Sequence, residues 1–532
     1  MAIYIKGIPT FVGMTEGKGV SMSKITLIYN ARLLDESMDT PGAVLVMDAK
    51  IRSVFQGYYT NSETLEKMAR AVLAEDGLEE KCPIELFNAH GLTLTPAFID
   101  MHVHLRYPGQ TQKEDLNSGL HAAAAGGYGT IVAMPNTNPV VSSMEMAMKI
   151  EREAAAIGLT HLFQTVSITR DFGGEDTSHL DFVEKKYVPV ITEDGRDVPA
   201  SAAMLEGMTK AAEKGIIVSC HSEDMTLGAQ AKPFRAEALE IMKGVGLSAW
   251  GTDGEDFDED DEENAEALDR IDLALTKANE ILALAEDVAT VRNIMLAKQA
   301  DCHVHIAHVS TAVSINAVRE AKNEIYDDEA DYNADEADAA YQAFEDGEKY
   351  APAPNPRTVG NGGFAVSCEV TPHHLALCGT DEPYIRALVN PPLRSEDDRV
   401  ALLEALRDGT VDVISTDHAP HTLDDKAGGA PGFTGLETAY AVCNSVLVKD
   451  NQFNPRRLSQ LMSAQPARLL GLQKGLLRSG YDADLTILDP DEEWTVDSSK
   501  FYSKGKATPF EGRTLTGRVK NLFIDGRLVF ES

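Results

Sequence analysis

Residues 215–221 read Gly-Ile-Ile-Val-Ser-Cys-His, a short β-branched run that ends on a histidine. The same pattern recurs along the chain, and each apolar run is followed by a polar turn and then a helical stretch. Nearly continuous apolar strands separated by helices are typical of a parallel sheet buried on both faces. The runs occupy residues 128–134, 187–192, 215–220, 303–308, 364–370 and 411–416.

The number of these strand–helix units predicts an α/β fold, a (β/α)8 TIM-type barrel over residues 96–476. Periodicity alone does not distinguish this barrel from an open doubly wound sheet. The flanks, residues 24–95 and 477–532, contain short strands joined by turns, and we expect them to form one small β domain. We expect residues 1–23 to be a poorly specified leader.

Charge is unevenly distributed along the chain. The formal net charge is −36, and residues 253–266 and 327–348 each carry ten acidic residues and no basic one. We interpret the regions near 250–268 and 327–363 as acidic inserts in the barrel. So acidic a protein is a poor candidate for binding nucleic acid or an anionic membrane. No apolar run has transmembrane or signal-peptide length, so the cytoplasm is the expected location.

Candidate metal ligands follow the apolar runs. His102 and His104 are two residues apart on an extended segment, so their side chains point the same way. In a barrel the carboxyl ends of all strands meet on one face, where active sites gather. Imidazole and carboxylate ligands suit zinc or a similar divalent ion. The other candidates at strand ends are Asp194, His221, His308 and Asp417.

The motifs DMHVHLR, MPNTNP, TEDG, CHSED, HIAHVST, CEVTPHHL, NPPLR and STDHAPH occur in this order. Together they resemble the dihydroorotases of the amidohydrolase superfamily, in the bacterial class whose TEDG-type aspartate bridges two metals. The resemblance covers residues 24–532 apart from the inserts, and SKGKATPFEGRTLTGRV near the C-terminus strengthens it. Allantoinases and hydantoinases share HxH and TDHAP individually.

The resemblance implies a specific site. His102, His104 and Asp417 would bind one zinc ion, His221 and His308 a second, and Asp194 would bridge them. The substrate contacts that it implies are Arg106, Asn136, Asn390 and His421. A guanidinium offers a carboxylate two parallel hydrogen bonds, which agrees with the role of Arg106.

Several nearby residues are weaker candidates. Glu193, or a carboxylated lysine at 185 or 186, would be an alternative bridge to Asp194. We expect packing or supporting roles for His303, His305, His373 and His374, and no ligand role for Cys220.

The implied reaction is the reversible interconversion of N-carbamoyl-L-aspartate and (S)-dihydroorotate in pyrimidine biosynthesis. We expect a metal-bound hydroxide to attack the cyclic amide, with Asp417 as general base and then general acid. The alternatives are an allantoinase or hydantoinase/dihydropyrimidinase, and a non-catalytic scaffold for aspartate carbamoyltransferase. Besides the small-molecule substrate, a homodimer and association with that transferase are the partners considered.

Overall fold

The structure, a computed structural model, describes residues 23–58, 62–78, 82–247, 262–325, 363–379 and 388–532. The leader predicted for residues 1–23 therefore falls outside the described residues except for its last residue. The insert predicted at 327–363 does so too, apart from residue 363. Within the insert predicted near 250–268, residues 262–268 are described and form the beginning of a helix.

The N-terminal region is a twisted sheet with one helix against it. Strand β1 pairs antiparallel with β2 and parallel with both β4 and β5. Apolar side chains of β1 and β2 pack against helix α1, whose buried residues recur every four positions. The elements are β1 (Ile25–Leu34), β2 (Asp39–Met47), β3 (Lys50–Gln56), α1 (Ser62–Ala74), β4 (Ile84–Asn88) and β5 (Thr93–Pro96).

Eight parallel strands form the barrel, which confirms the predicted fold class. Strands β6–β8 form one sheet and β9–β13 another. Parallel bridges between Val166 and Ile191 and between Val103 and His418 join the two sheets into a closed ring. The strands are β6 (Phe98–Val103), β7 (Tyr128–Ala133), β8 (His161–Gln164), β9 (Val190–Thr192), β10 (Ile217–Cys220), β11 (His303–Ile306), β12 (Ala365–Val370) and β13 (Val413–Ile414).

The observed strands are shorter than the apolar runs that predicted them. Strand β9 begins only at Val190, after Pro189, which has no N–H to donate to a ladder. Strand β13 is reduced to two residues, and Asp417 comes three residues after its end. Every residue of β7, β10 and β12 is buried, as expected for strands covered on both faces.

Helices surround the barrel. The longest, α6, has 39 residues and packs against α4 and α5. The helices are α2 (Leu116–Ala125), α3 (Met144–Ile157), α4 (Ser201–Lys214), α5 (Met225–Gly244), α6 (Glu262–Ala300), α7 (312–325), α8 (Pro372–Ala376), α9 (Glu396–Arg407), α10 (Leu423–Ala427), α11 (Ala439–Cys443), α12 (Pro455–Ser459) and α13 (Gln465–Leu470). Wider π-type turns, Asn444–Asp450 and Gln460–Ala464, follow α11 and α12.

The C-terminal strands complete the N-terminal sheet. They are β14 (Leu485–Thr495), β15 (Thr514–Ile524) and β16 (Arg527–Glu531), and β14 pairs antiparallel with β5. Residues of both ends, such as Ile28 and Ile487, share one buried apolar cluster. The small β domain expected from the two flanks is thus a single eight-stranded sheet. Among the described helices, none has the length and apolarity needed to cross a bilayer.

Candidate metal centre

The six predicted ligands lie at the carboxyl ends of barrel strands and converge on one point. His102 is within β6 and His104 follows it, while His221 directly follows β10. The other three come two or three residues after β9, β11 and β13, at Asp194, His308 and Asp417. All six are at most 5% exposed, so the cluster is buried at this end of the barrel.

Asp194 occupies the middle of the cluster. Its Oδ1 lies 3.3 Å from Nε2 of His102, 3.1 Å from Nδ1 of His221 and 3.5 Å from Nε2 of His308. Its Oδ2 lies 3.4 Å from Nε2 of His104. One carboxylate therefore faces the two histidine pairs that the resemblance assigns to different metals.

Asp417 faces the first pair only. Its Oδ1 is 3.1 Å from Nε2 of His104 and 3.6 Å from Nε2 of His102. Across the pocket, Nδ1 of His221 lies 2.8 Å from Nε2 of His308. Two overlapping sets of three ligand atoms are close enough to share a cation: His102, His104 and Asp417, and His102, Asp194 and His308.

The electrostatics of this pocket favour added positive charge. Burial alone would lower the pKa of His221, but the facing carboxylate of Asp194 raises that pKa to about 10. Burial acts to raise the pKa of Asp194, yet His102 and His221 hold it well below the ordinary carboxyl value. Nε2 of His102 is buried, and it has no hydrogen-bond partner within the part of the chain that the structure describes. An unsatisfied imidazole nitrogen beside ionised carboxylates is a donor set that suits a divalent cation.

Outer contacts fix the orientation of two histidines. Nδ1 of His102 lies 2.7 Å from Oε1 of Glu369, and Nδ1 of His104 lies 2.9 Å from Oδ1 of Asn136. In the neutral form of each ring, Nδ1–H would donate to this oxygen and Nε2 would present its lone pair to the other candidate ligands. Glu369 also faces Nε2 of His305, at 3.2 Å. The sequence analysis missed Glu369, although it lies in the CEVTPHHL motif.

Asp100 is a second supporting group that the sequence analysis missed. Its carboxylate accepts hydrogen bonds from the backbone N–H groups of His102 and Thr416 and from the Thr416 hydroxyl. Burial raises the pKa of Asp100 to about 7. This carboxylate ties the end of β6 to the segment that carries Asp417.

Three residues of the site have left-handed backbone conformations. The φ angles of Arg106, His308 and Asp417 are +55°, +33° and +47°. Such conformations cost a non-glycine residue about 1–3 kcal/mol and are held by their surroundings. The fold maintains this strain where side chains must be aimed into the pocket.

The predicted substrate contacts form two groups. Nη2 of Arg106 lies 3.1 Å from Nε2 of His421, and Nζ of Lys113 lies 3.3 Å from Nδ1 of the same ring. Burial and these two cations lower the pKa of His421 to about 2, so this imidazole is neutral. On the other side, Nδ2 of Asn390 donates to Glu223 at 2.6 Å and lies 3.4 Å from Nε2 of His221.

The weaker candidates named in the sequence analysis contact other groups than the six candidate ligands. Glu193 points away from Asp194 and accepts a hydrogen bond from the backbone N–H of Thr169, at 2.8 Å. Nζ of Lys186 lies over the ring of Tyr187, at 5.0 Å from its centroid. Nε2 of His374 lies 3.2 Å from the Pro391 carbonyl. The ring of His373 lies beside Phe433, and its buried Nε2 has no hydrogen-bond partner among the described residues. His303 faces Ser367, and the thiol of Cys220 is buried.

Comparison with known proteins places this geometry in a family. The amidohydrolase family model matches residues 93–529. The chain is 32% identical over 506 residues to a dihydroorotase of Clostridium botulinum, covering 95% of this chain and 99% of that protein. It is 33% identical over 522 residues to a dihydroorotase of Anaeromyxobacter dehalogenans, covering 96% and 99%.

Solved structures show the same fold at lower sequence identity. An L-hydantoinase (dihydropyrimidinase) from Arthrobacter aurescens superimposes with a TM-score of 0.70 at 22% identity, covering 96% of both chains. A dihydropyrimidinase from Brevibacillus agri gives 0.69 at 18% identity, covering 95% of both. The family match and the relatives above 30% identity agree with the motifs read from the sequence. The chain belongs to the dihydroorotases, within the amidohydrolase family.

Proposed function

We propose that this protein is a zinc-dependent dihydroorotase that interconverts N-carbamoyl-L-aspartate and (S)-dihydroorotate. The observation that carries the proposal is the convergence of six buried candidate ligands, with Asp194 in their middle, at one end of the barrel. The similarity to proteins named dihydroorotase over nearly the whole chain supports the choice of substrate.

Two zinc ions are the proposed cofactors. His102, His104 and Asp417 would hold one, His221 and His308 the other, and Asp194 would contact both. Bound there, zinc would polarise the ring carbonyl and lower the pKa of the attacking water. The unpartnered Nε2 of His102 supports a ligand role for this histidine.

Asp417 is the proposed proton carrier. Burial acts to raise its pKa, but a hydrogen bond with His104 and the nearby imidazoles hold the pKa below its ordinary value. Its carboxylate is therefore ionised at neutral pH, as a general base must be. It takes a proton from water as the water oxygen bonds to the ring carbonyl carbon. The ring C–N bond then breaks, and the same proton passes to the departing nitrogen.

Arg106, Lys113 and His421 are the proposed receptor for the carboxylate attached to the ring. Arg106 is 8% exposed and donates to the Pro420 carbonyl through Nε, at 3.2 Å, which fixes the plane of its guanidinium. A fixed guanidinium can bind a carboxylate through two hydrogen bonds. Asn136 uses Oδ1 on His104, which leaves its amide NH2 group for the substrate. Asn390 is the proposed contact on the side of His221.

The two rival functions make different demands on the site. A hydantoinase or allantoinase ring has no carboxylate that needs a receptor such as Arg106. A non-catalytic scaffold needs no metal ligands, whereas here all six predicted ligands are present and face one another. Association with aspartate carbamoyltransferase stays a prediction.

Turnover measurements with dihydroorotate, hydantoin and allantoin on the same preparation test the proposal. We expect hydrolysis of dihydroorotate alone, its loss after chelation, and its recovery when zinc is added back. Activity that survives complete metal removal, or a preference for either other ring, would contradict it.

A further inference from the structure

Lys426, in α10, is a lysine buried without a counter-ion. Its side chain is 1% exposed, and among the described residues its amino group forms no ion pair. Burial lowers the pKa of Lys426 to about 7, and the positive charge of Arg235 acts in the same direction. Burying an amine so completely costs free energy unless its N–H groups find acceptors. The contacts of Nζ therefore indicate what this residue does.

Two backbone carbonyls accept hydrogen bonds from Lys426. Nζ donates to the carbonyl of Leu388 at 2.8 Å and to that of Gly432 at 3.1 Å. The Leu388 carbonyl also accepts a hydrogen bond from the backbone N–H of Gly432, at 3.0 Å. A neutral amine still has two N–H groups, so both contacts survive the loss of its charge. Lys426 therefore ties two chain segments together in either protonation state.

The two segments lie on the two sides of the proposed substrate site. Leu388 comes two residues before Asn390, the proposed contact on one side. Gly432 has a φ of +136°, and a Cβ atom there would come within 3.3 Å of Cδ2 of His421, the proposed contact on the other side. The amino group of Lys426 thus links the segment before Asn390 to the backbone that lies against His421.

Arg235, in α5, holds the next carbonyl of the same segment. Its Nη2 donates at 3.1 Å to the Val389 carbonyl, which belongs to the peptide group that leads into Asn390. Nε of Arg235 is buried and has no hydrogen-bond partner among the described residues. Beyond Asn390, Nε2 of His374 lies 3.2 Å from the Pro391 carbonyl oxygen. Carbonyl groups on both sides of Asn390 are thus in contact with basic side chains from three different helices.

We infer that Lys426 and Arg235 are positioning residues that hold Asn390 toward the substrate. They act through the carbonyls of Leu388 and Val389. Within the described part of the chain, neither side chain forms a hydrogen bond or an ion pair with a candidate metal ligand. Substrate binding, rather than metal binding, should therefore depend on them. The inference rests on the proposed function, in which Asn390 contacts the substrate.

Steady-state kinetics with dihydroorotate, on the full-length protein loaded with zinc, test this inference. Lys426→Met removes both donors with little change in side-chain length. It should raise KM about three- to tenfold, the effect of losing roughly one hydrogen bond to the substrate. The value of kcat should stay within about twofold of wild type, and the zinc content should not change. Arg235→Met, at a less buried position, should raise KM in the same way even if Lys426→Met folds poorly.

Lys214→Met is the matched control. Nζ of Lys214 also donates to backbone carbonyls, those of Leu180, Asp181 and Val183, but this lysine lies in α4, outside the barrel. The control loses similar hydrogen bonds far from the Asn390 segment, so its KM should equal that of wild type.

A double-mutant cycle with Asn390→Ala separates positioning from a general structural effect. Asn390→Ala alone should raise KM. Adding Lys426→Met should then raise KM by less than about twofold, because the amide that it positions is already gone.

Three results would overturn the inference. One is a Lys426→Met effect that is as large in the Asn390→Ala background as in wild type. Another is an equal effect of Lys214→Met, and the third is an unchanged KM in both Lys426→Met and Arg235→Met. An unchanged KM in Asn390→Ala would instead refute the substrate contact in the proposed function, and the inference with it.

Discussion

Nδ1 of His102 lies 2.7 Å from Oε1 of Glu369, and this contact turns the opposite ring nitrogen toward Asp194 and Asp417. The Ser415 hydroxyl also donates to Glu369, at 2.5 Å, so the carboxylate is itself held in place. A histidine ligand oriented by a buried carboxylate is more basic and better aimed than a free imidazole.

Glu369→Gln should therefore weaken metal binding by about 10–100-fold, because the uncharged amide no longer supports the imidazole electrostatically. Competition with a chelator of known affinity measures this directly. Glu151→Gln is a suitable control, since that carboxylate is half-buried and accepts a hydrogen bond from the Gln164 backbone instead. Equal metal affinity in Glu369→Gln and wild type would show that the contact has no such role.

Asp417→Asn should lower kcat by about 10²–10⁴-fold, because an amide cannot accept and return the proton. Metal content must be determined on the same sample, since Asp417 also faces His102 and His104. If the variant keeps its metal and turns over at nearly the wild-type rate, the proton-carrier role is wrong.

Arg106→Lys and Lys113→Met should both raise KM, and the arginine change should do so more strongly. Losing one charged hydrogen bond costs about 1.5–3 kcal/mol, which corresponds to a rise of roughly 10–100-fold. Lys113 is partly exposed and should matter less. Lys186→Met, which changes an exposed lysine over Tyr187, should leave KM unchanged. The proposed receptor would be misplaced if neither Arg106→Lys nor Lys113→Met moved KM.

The ion pair between Lys474 and Asp484 should make stability depend on pH. These side chains are 5% and 3% exposed, and His161 Nε2 lies 3.3 Å from the same carboxylate. Burial alone would raise the pKa of Asp484, but Lys474 and His161 hold it below the ordinary value. Likewise burial would lower the pKa of Lys474, yet Asp484 and Asp482 raise it.

Because the folded-state pKa of Asp484 is depressed, its stabilising contribution is present above pH 3.8 and is lost as the pH falls below that value. Because the folded-state pKa of Lys474 is raised, its stabilising contribution is present below pH 10.5 and is lost as the pH rises further. Asp484→Asn should cost roughly 3–5 kcal/mol at neutral pH. Denaturant titrations should also show a smaller acid-induced loss of unfolding free energy in the variant than in wild type.

The positions of the six candidate ligands were predictable because each lies at or just after the end of an apolar strand, and a barrel gathers its strand ends on one face. Glu369 was not recognised, because it lies inside the apolar run of β12. Burying a charged residue in a strand costs free energy unless the charge is paired. A glutamate inside this apolar run was therefore the sequence feature that could have indicated a buried partner. Lys113 lies in a turn whose path toward His421 depends on tertiary contacts.

The acidic region before α6 is partly helical, which its composition did not indicate. Its composition suggested an insert through residue 268, yet the helix already begins at Glu262. Glutamate is a good helix former, and Ala267 and Ile271 give this segment a buried face. The high density of acidic residues made the helical spacing of these apolar residues difficult to recognise in the sequence.

Strand β5 ends at Pro96, and its antiparallel partner β14 begins at Leu485, about 390 residues later. At ~5–20 residues per second, a ribosome needs roughly 20–80 s to cover that distance. Throughout this interval one edge of β5 has main-chain groups that await their partner, and such edges recruit other strands. Translation must therefore be nearly complete before β14 can pair with β5, which belongs to the first sheet to leave the ribosome. Chains released by early termination would keep this edge of β5 unpaired and would be prone to aggregate.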